Sequence, residues 1–416
     1  MSHGRRLRQK LHQAVFPRRL FSFITGNQVT LLQSGEDYFP AIEAAFDRAR
    51  FEIYLETYIY ENDATGLRIA DALKRAVLRG VTVYVLIDGY GSKDLPRSML
   101  DYLRSVGVNA LVFRPNISPW TLRRKRLRRL HRKIVIVDRN IAFVGGINII
   151  DDSETKGDPP RYDYAVSVEG PLVDEIHLSA RRLWTMAAWS RFRKGTARSV
   201  SLPAPIFAGG QMNAAFLVRD NFRHRREIET AYLDAIAAAK FEIFFAHAYF
   251  LPGLDFRHAL IAAARRGVKV VLLLQGRVEY VLQHYASRAL YGTLLDEGIE
   301  IYEYNKGFLH AKVAVIDGLW ATVGSSNIDP FSLLLSLEAN VVVMDEGFGS
   351  TLSKSLKLTV ETDASRIFAD NWKLQPISIR LMCWLSYGLL RLMMGISGYA
   401  NDNKLARNER SNTENG

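Results

Sequence analysis

One segment of the chain occurs twice. Residues 130–148 read LHRKIVIVDRNIAFVGGIN, and residues 309–327 read LHAKVAVIDGLWATVGSSN. The histidines of the two copies, His131 and His310, are separated by 310 − 131 = 179 residues, and the closing asparagines have the same separation. This spacing is too long for a solenoid repeat and is typical of a duplicated domain.

The similarity between the two parts extends upstream of these copies. Residues 49–60, ARFEIYLETYIY, match residues 239–250, AKFEIFFAHAYF. Residues 73–89, LKRAVLRGVTVYVLIDG, match residues 260–276, LIAAARRGVKVVLLLQG. The offsets differ from 179 by loop-sized insertions only, so we predict two copies of one folding unit.

Each unit shows the residue pattern of an α/β fold. In the first unit a helix ending near Ala49 precedes a strand that ends at Tyr60, and helical spacing then runs from Leu67 to Arg79 and stops at Gly80. The nearly continuous apolar run that follows, from Val81 to Ile87, is typical of a strand buried on both faces. Strand, helix, strand in this order predicts a parallel sheet covered by helices.

Composition shifts along the chain predict six segments. They are a basic arm (1–36), the first unit (37–195), a linker with Pro203 and Pro205 (196–210), the second unit (211–373), an apolar and basic helix (374–400) and a disordered tail (401–416). The second unit is expected to end with a strand from Glu338 to Met344 and a helix that reaches about Trp372.

The charge of the chain favours anionic partners. A formal net charge of +12 and a pI near 9.6 fit nucleic acid, an anionic lipid surface or phosphate esters. A basic block, RRKRLRR at residues 123–129, lies directly before His131 and is either a solvated face or a guide for anionic head groups. The single cysteine, Cys383, excludes an intramolecular disulfide and a cysteine metal cluster.

Two segments suggest contact with a membrane surface. We expect no secretory signal and no conventional span, because no long uncharged apolar run occurs. The nearest candidate, Ile377 to Tyr399, is interrupted by Arg380 and Arg391, so we expect it to lie in a bilayer interface. The N-terminal arm fits a solvated segment and a membrane-surface segment equally well.

The repeated motif has the residue types that a phosphodiester requires. Alternation puts His131 and Lys133 on one face of a strand, and likewise His310 and Lys312. In each copy an aspartate follows, and a small-residue turn then leads to an asparagine; these residues are Asp138 and Asn148, and Asp317 and Asn327. One imidazole could attack phosphorus and the other could protonate the departing alkoxide, while lysines and asparagines hold the non-bridging oxygens. Such a reaction needs no metal and no other cofactor.

Histidines in this role need an acceptor on the second ring nitrogen. We predict that Asp163 and Glu338 supply it, because each begins the strand that follows its motif. Asp138 and Asp317 end their strands, and we expect them to brace the turn rather than touch a substrate.

The two HxKxxxxD motifs, followed by GGxN and GSSN, resemble those of the phospholipase D superfamily. Narrower segments resemble the bacterial cardiolipin synthases, in particular the short type without N-terminal membrane spans; they are LIDGYGS (86–92), RRLHRKIVIVD (128–138), DYAVSVEGP (163–171) and ATVGSSNIDPFSLLLSLEANV (321–341). The resemblance covers about residues 28 to 372. It implies two tandem α/β/α sandwich domains related by a pseudo-twofold axis, with one active site at their interface.

The resemblance also implies a reaction and a set of site residues. The catalytic set would be His131, Lys133, Asp138, His310, Lys312 and Asp317, with His131 as nucleophile and His310 as acid and base. One phosphatidylglycerol would donate its phosphatidyl group to another at the cytoplasmic face of the cell membrane, with the protein bound peripherally. Nucleic acid would not be a partner, and oligomeric state is left open.

Other functions of the same motif remain open from the sequence. A phospholipase D-type hydrolase would pass the phosphatidyl group to water, and a metal-independent nuclease would use the +12 charge and residues 123–129. A binding module with an inactive site conflicts with the intact motif residues.

Overall fold

The computed structural model describes residues 21–115, 128–151, 159–189, 209–220, 224–329 and 336–396. Residues 1–20 of the predicted arm, most of the basic block, the linker up to residue 208 and the predicted tail lie outside these residues. Within them the strands form one sheet of 16 strands that runs through both repeats.

Seven strands of each repeat have a counterpart in the other. The strands of the first repeat are β1 Ile24–Gln33, β2 Glu52–Thr57, β3 Thr82–Asp88, β4 Asn109–Phe113, β5 Arg129–Leu130, β6 Lys133–Val137, β7 Ile141–Gly145 and β8 Tyr164–Glu169. Those of the second repeat are β9 Met212–Arg219, β10 Glu242–His247, β11 Lys269–Gln275, β12 Glu300–Tyr304, β13 Lys312–Ile316, β14 Trp320–Gly324, β15 Ser336–Met344 and β16 Ala364–Ile367. Of these strands, β5 and β16 have no counterpart.

The strand order shows the predicted pseudo-twofold relationship. From one edge to the other it is β16-β12-β11-β10-β13-β14-β15-β9-β1-β8-β7-β6-β2-β3-β4, and β5 pairs with β15. The antiparallel pair β1 and β9 lies at the centre, and each strand on one side has its counterpart on the other, except the edge strand β16. The parallel strands β2, β3 and β4 match β10, β11 and β12.

Eleven described helices cover the sheet. They are α1 Ser34–Arg48, α2 Ala64–Leu78, α3 Arg97–Ser105, α4 Leu172–Trp189, α5 Glu227–Ala238, α6 Leu254–Arg265, α7 Val281–Arg288, α8 Tyr291–Asp296, α9 Glu346–Asp363, α10 Ala369–Lys373 and α11 Ile377–Ile396. Helices α4 and α9 pack on a hydrophobic core that contains residues of both repeats. The remaining helices pack on two separate cores, one for each repeat. The shared core is what joins the repeats into one body.

Local sequence explains why these elements form where they do. Helix α2 buries Ile69, Leu73 and Ala76, spaced three and four residues apart, against the sheet. Its N-terminus is capped by Asp63, whose side chain accepts a hydrogen bond from the Gly66 amide, and the chain turns at Gly80 with a φ of +89°. Strand β3 then carries an almost fully buried apolar run, as the sequence pattern predicts.

Two predicted boundaries are wrong. Residues 24–33 were assigned to a basic arm, but they form β1 at the centre of the sheet, so the first unit begins before residue 37. Alternate residues of this strand, such as Val29, are buried. The basic residues that precede the strand led to its assignment to the arm. The last helix of the second unit was expected to reach Trp372, but α9 ends at Asp363 because the next residues pair as β16 with the edge strand β12.

Candidate active site

Each motif histidine is held in place by the backbone of the other repeat. Strand β5 pairs in parallel with the start of β15, and the His131 amide donates to the Leu337 carbonyl at 3.0 Å. In the equivalent arrangement the His310 amide donates to the Tyr162 carbonyl at 2.8 Å. The two motifs therefore meet across the pseudo-twofold axis.

The side-chain partners of the histidines also cross between repeats. His131 Nδ1 lies 3.0 Å from Glu338 Oε2, and His310 Nδ1 lies 2.6 Å from Asp163 Oδ2. These are the two carboxylates that the sequence suggests as acceptors, but each serves the histidine of the opposite repeat. Neither repeat alone contains a complete pair.

The crossed pairs select one tautomer of each ring. A carboxylate only accepts hydrogen bonds, so Nδ1 of each imidazole carries the hydrogen that it donates. The lone pair then lies on Nε2, the nitrogen that points away from the carboxylate. Both rings are thereby prepared to bond to phosphorus or to exchange a proton through Nε2.

The turns that follow the two motif strands have different residues at equivalent positions, Gly146 and Ser325, next to the two carboxylates. A Cβ atom at Gly146 would lie 2.4 Å from both carboxylate oxygens of Asp163, so any larger residue there would displace this carboxylate. The equivalent residue, Ser325, donates its hydroxyl to Glu338 Oε2 at 2.5 Å, and its carbonyl lies 3.1 Å from His131 Nδ1. The longer glutamate leaves room for this side chain.

The motif lysines are fully enclosed next to the histidines. Lys133 donates to the carbonyl of His131 at 2.8 Å, and Lys312 donates to the carbonyl of His310. Burial, together with the neighbouring Lys312, lowers the pKa of Lys133 to about 7. Burial also lowers the pKa of Lys312, so the two buried lysines form a site whose charged forms a bound anion stabilises.

Both histidines are neutral near pH 7 in this state. Burial lowers the pKa of His131, and burial together with the charge of Lys312 lowers the pKa of His310 to about 4. Asp163 stays ionised, because Lys312 and His310 outweigh the effect of burial and lower its pKa.

The motif aspartates lie at the far ends of their strands, five residues or roughly 17 Å from the lysines. Asp138 accepts hydrogen bonds from the amides of residues 50–52, and Asp317 accepts them from the amides of residues 240–242. Both have a positive φ, 51° and 52°, which the turn requires. Each carboxylate therefore connects the end of its own strand to the start of the neighbouring strand, and it does not lie beside the reacting groups.

The asparagines lie in the turns that follow the motif strands. Asn148 accepts a hydrogen bond from the Ile59 amide at 3.1 Å, which ties its turn to the end of β2. Asn327 is buried in the equivalent turn, 5% exposed. Among the described residues, no cluster of three or more His, Cys, Asp or Glu side chains has the arrangement of a metal site.

The sequence reasoning missed several residues around the histidines. Tyr58 packs edge-on against His131, with ring centres 4.8 Å apart, and Lys133 lies over the Tyr58 ring.

Asp88 accepts a hydrogen bond from the Leu130 amide at 2.7 Å, and Gln275 accepts one from the Leu309 amide at 2.9 Å. Asp88 and Gln275 occupy equivalent positions when the two repeats are aligned, so the alignment could have identified both residues. Arg161 and Glu279, which form an ion pair near His310, carry no such signal.

Comparisons with known proteins identify the family of the chain. A family model described as "Cardiolipin synthase, PLD-like domain" matches residues 42–184 and 232–359. Cardiolipin synthase B of Escherichia coli K12 is 39% identical over 356 residues, which cover 83% of each chain. The protein of the same name from Salmonella typhimurium is 41% identical over 344 residues, which cover 82% of each chain.

Structural similarity extends to more distant proteins. Phosphatidylserine synthase of Haemophilus influenzae superposes with a TM-score of 0.68 at 14% identity, over 92% of this chain and 97% of that one. This similarity confirms the predicted α/β fold, and the two segments matched by the family model confirm the two phospholipase D-like units. The chain therefore belongs to the phospholipase D superfamily and, within it, to the cardiolipin synthases, which are phosphatidyltransferases.

Proposed function

We propose that this enzyme transfers the phosphatidyl group of one phosphatidylglycerol to a hydroxyl of a second, giving cardiolipin and glycerol. The observation that carries the proposal is the pair of crossed histidine–carboxylate contacts, which leaves Nε2 of each ring available. Family membership supports the choice of lipid.

In the first step Nε2 of His131 attacks phosphorus, and the bond from phosphorus to the glycerol oxygen breaks. His310 gives its proton to the departing oxygen, so glycerol leaves and a phosphohistidine remains. The assignment of His131 as nucleophile rests on the resemblance, because the geometry of the two histidines is nearly symmetric.

In the second step His310 takes the proton of an incoming hydroxyl from a second phosphatidylglycerol. That oxygen attacks phosphorus, the phosphorus–nitrogen bond breaks, and neutral His131 is restored. Each step leaves His310 in the protonation state that the next one needs.

The buried lysines supply the charge that both steps require. Lys133 and Lys312 hold the non-bridging oxygens while negative charge accumulates on them. A bound phosphodiester anion would raise the lowered pKa values of His310 and Lys133, because it stabilises their protonated forms. Substrate binding would thereby protonate the acid. Asn148 and Asn327 would hold the turns beside these oxygens.

Helix α11 supports a location at a membrane surface. It packs on the second repeat through Cys383 and Leu390, which are 1% and 2% exposed. Its other side presents large apolar residues to solvent: Ile377, Leu381, Trp384, Leu385, Leu389 and Leu392. In the part of the chain that the structure describes, no helix is sufficiently long and apolar to cross a bilayer. We infer that α11 lies in the bilayer interface; the cytoplasmic face of the cell membrane stays a prediction from the sequence.

Product analysis tests the function. Purified protein is incubated with vesicles of phosphatidylglycerol that is labelled separately in the acyl chains and the headgroup glycerol. We expect labelled glycerol to be released in step with a lipid that contains two phosphates. Phosphatidic acid as the main lipid product would identify a hydrolase, and cleavage of nucleic acid without lipid turnover would identify a nuclease.

A further inference from the structure

The two repeats differ beside their histidines. Tyr60 and Phe250 make equivalent bridges, to Ile149 and Ile328, so Tyr58 of the first repeat corresponds to Ala248 of the second. Tyr58 covers one side of His131. Ala248 carries only a methyl group and binds the Ala311 carbonyl through its amide at 3.0 Å, directly after His310. A small cleft lined by Ala248 lies at this position in the second repeat, with room for about one water-sized group.

Polar side chains line this cleft, and one of them, Gln275, binds the amide of Leu309, the residue before His310. The walls of the cleft include Tyr249, Gln275, Glu279, Tyr280 and Gln283. The Tyr249 hydroxyl donates to Glu279 Oε2 at 2.5 Å, and Arg161 from the first repeat lies 2.9 Å from Glu279 Oε1. Burial acts to raise the pKa of Glu279, but Arg161, Tyr249 and the nearby His310 lower it overall, so the carboxylate is charged. The cleft thus has a fixed, ionised hydrogen-bond acceptor.

Gln275 supplies a donor to the same cleft. Its Oε1 accepts a hydrogen bond from the Leu309 amide. The residue is only 8% exposed, and its Nε2 has no hydrogen-bond partner in the described structure. In the first repeat Asp88 has the equivalent position, and both of its oxygens accept backbone amides. A buried amide hydrogen without an acceptor is costly, so its presence here points to a ligand oxygen.

We propose that this cleft binds one hydroxyl of a glycerol headgroup, the one that does not react, on the alcohol side of the reaction. A second hydroxyl of a polyol can accept a hydrogen bond from Gln275 Nε2 and donate one to Glu279. An alcohol whose only hydroxyl is the reacting one cannot make this pair of contacts. The inference rests on the proposed function, in which His310 protonates the leaving alcohol and deprotonates the incoming one. Because both alcohols pass the same imidazole, one cleft serves both.

The cleft also gives the enzyme a means to favour lipid acceptors over water. A polyol with one hydroxyl in the cleft is held with its second hydroxyl near phosphorus, in place of an attacking water. Water has one oxygen, so a single water molecule cannot bind Gln275 and Glu279 and attack phosphorus at the same time.

Competition between two alcohols tests the proposal. The enzyme is given labelled phosphatidylglycerol with equal concentrations of 1,2-propanediol and 1-propanol, and the two phosphatidyl-alcohol products are measured by mass spectrometry. The alcohols differ by one hydroxyl and share the same proton acceptor, so changes in His310 basicity cancel in the product ratio. We expect the wild-type protein to favour the diol by about tenfold, as expected for a pair of hydrogen bonds, one of them to a charged group.

Variants assign the preference to the cleft. Glu279→Gln removes the charged acceptor, and Tyr249→Phe keeps the shape but removes the hydroxyl that positions Glu279. Each should lower the diol preference at least threefold. Glu297→Gln makes the same chemical change at an exposed glutamate paired with Arg265 and should keep the wild-type ratio.

The possible outcomes separate the two proposals. A wild-type ratio near one, or a ratio unchanged in both cleft variants, would overturn the cleft assignment while leaving phosphatidyl transfer intact. Formation of phosphatidic acid alone, with neither alcohol product, would overturn the proposed function and the cleft assignment together. The wild-type ratio needs no substitution, so the test does not depend on whether the variants fold.

Discussion

Nδ1 of His131 in the first repeat lies 3.0 Å from Oε2 of Glu338 in the second. The reciprocal contact joins His310 to Asp163. Because each ring is oriented by a carboxylate from the opposite repeat, duplication of the motif is necessary for the site, and the two repeats must be docked before either histidine is positioned.

Replacing Glu338 tests this crossed orientation. In Glu338→Gln the side-chain amide can donate to Nδ1, which would move the ring hydrogen to Nε2 and remove the nucleophilic lone pair. We expect turnover to fall roughly 10³-fold while the thermal unfolding curve stays close to that of the wild type. A loss of less than fivefold in a folded variant would show that the carboxylate does not control the tautomer.

The two histidines should respond differently to the leaving group. In His310→Ala the departing glycerol alkoxide lacks its acid, and turnover should fall roughly 10³-fold or more. With a nitrophenyl ester of phosphatidic acid the leaving group needs no proton, so His310→Ala should still give a burst of nitrophenol. His131→Ala should give no burst with either substrate. A burst from His131→Ala and none from His310→Ala would reverse the assignment of the nucleophile.

The exposed side of α11 should govern binding to vesicles. Trp384 and Leu385 are 67% and 65% exposed, and the double substitution to serine removes apolar area without touching the buried side of the helix. We expect affinity for phosphatidylglycerol vesicles to fall at least about tenfold, with turnover of detergent-dispersed lipid retained. Leu78→Ser, at a residue 76% exposed on α2, is the matched control and should bind normally. Point substitutions are preferable to truncation because Cys383 and Leu390 belong to a core.

The maximum of kcat/KM should lie on the acid side of neutral pH. His310 must be protonated to act as the acid, and that fraction falls as pH rises above about 4 in the free protein. Lys133 loses its charge as pH rises through about 7, which weakens phosphate binding, while His131 loses activity only below its lowered pKa. We therefore expect the maximum below about pH 6.5, the ordinary imidazole pKa. A maximum at or above pH 7.5 in mixed micelles would contradict this arrangement.

The motif aspartates should matter for stability more than for chemistry. Asp138→Ala removes three hydrogen bonds to the backbone amides of residues 50–52, at a turn where φ is 51°. We expect the free energy of unfolding to fall by roughly 2–4 kcal/mol. Below its unfolding temperature the variant should keep its turnover within about tenfold of the wild type. A stable protein with turnover lost as completely as in His131→Ala would place Asp138 in the reaction itself.

Much of the fold was predictable because the chain repeats its own pattern. The continuous apolar runs of β3 and β11, the helix stops and the duplicated motif predict two α/β units and one shared site. Strand β1 was missed because basic residues precede it and its partners, β8 and β9, lie far away in the chain. Short elements such as β16 form only because an edge strand is available to pair with them.

The sequence by itself determined which residue types are present in each repeat: a histidine, a lysine, an aspartate, an asparagine and a later carboxylate at matching positions. Spacing along one chain specifies chemistry and local periodicity, because both depend on near neighbours. Only the tertiary structure decided that Glu338 serves His131 and Asp163 serves His310, and that Arg161 reaches Glu279 beside His310. These contacts join residues more than a hundred positions apart, so they depend on how the two repeats pack around β1 and β9.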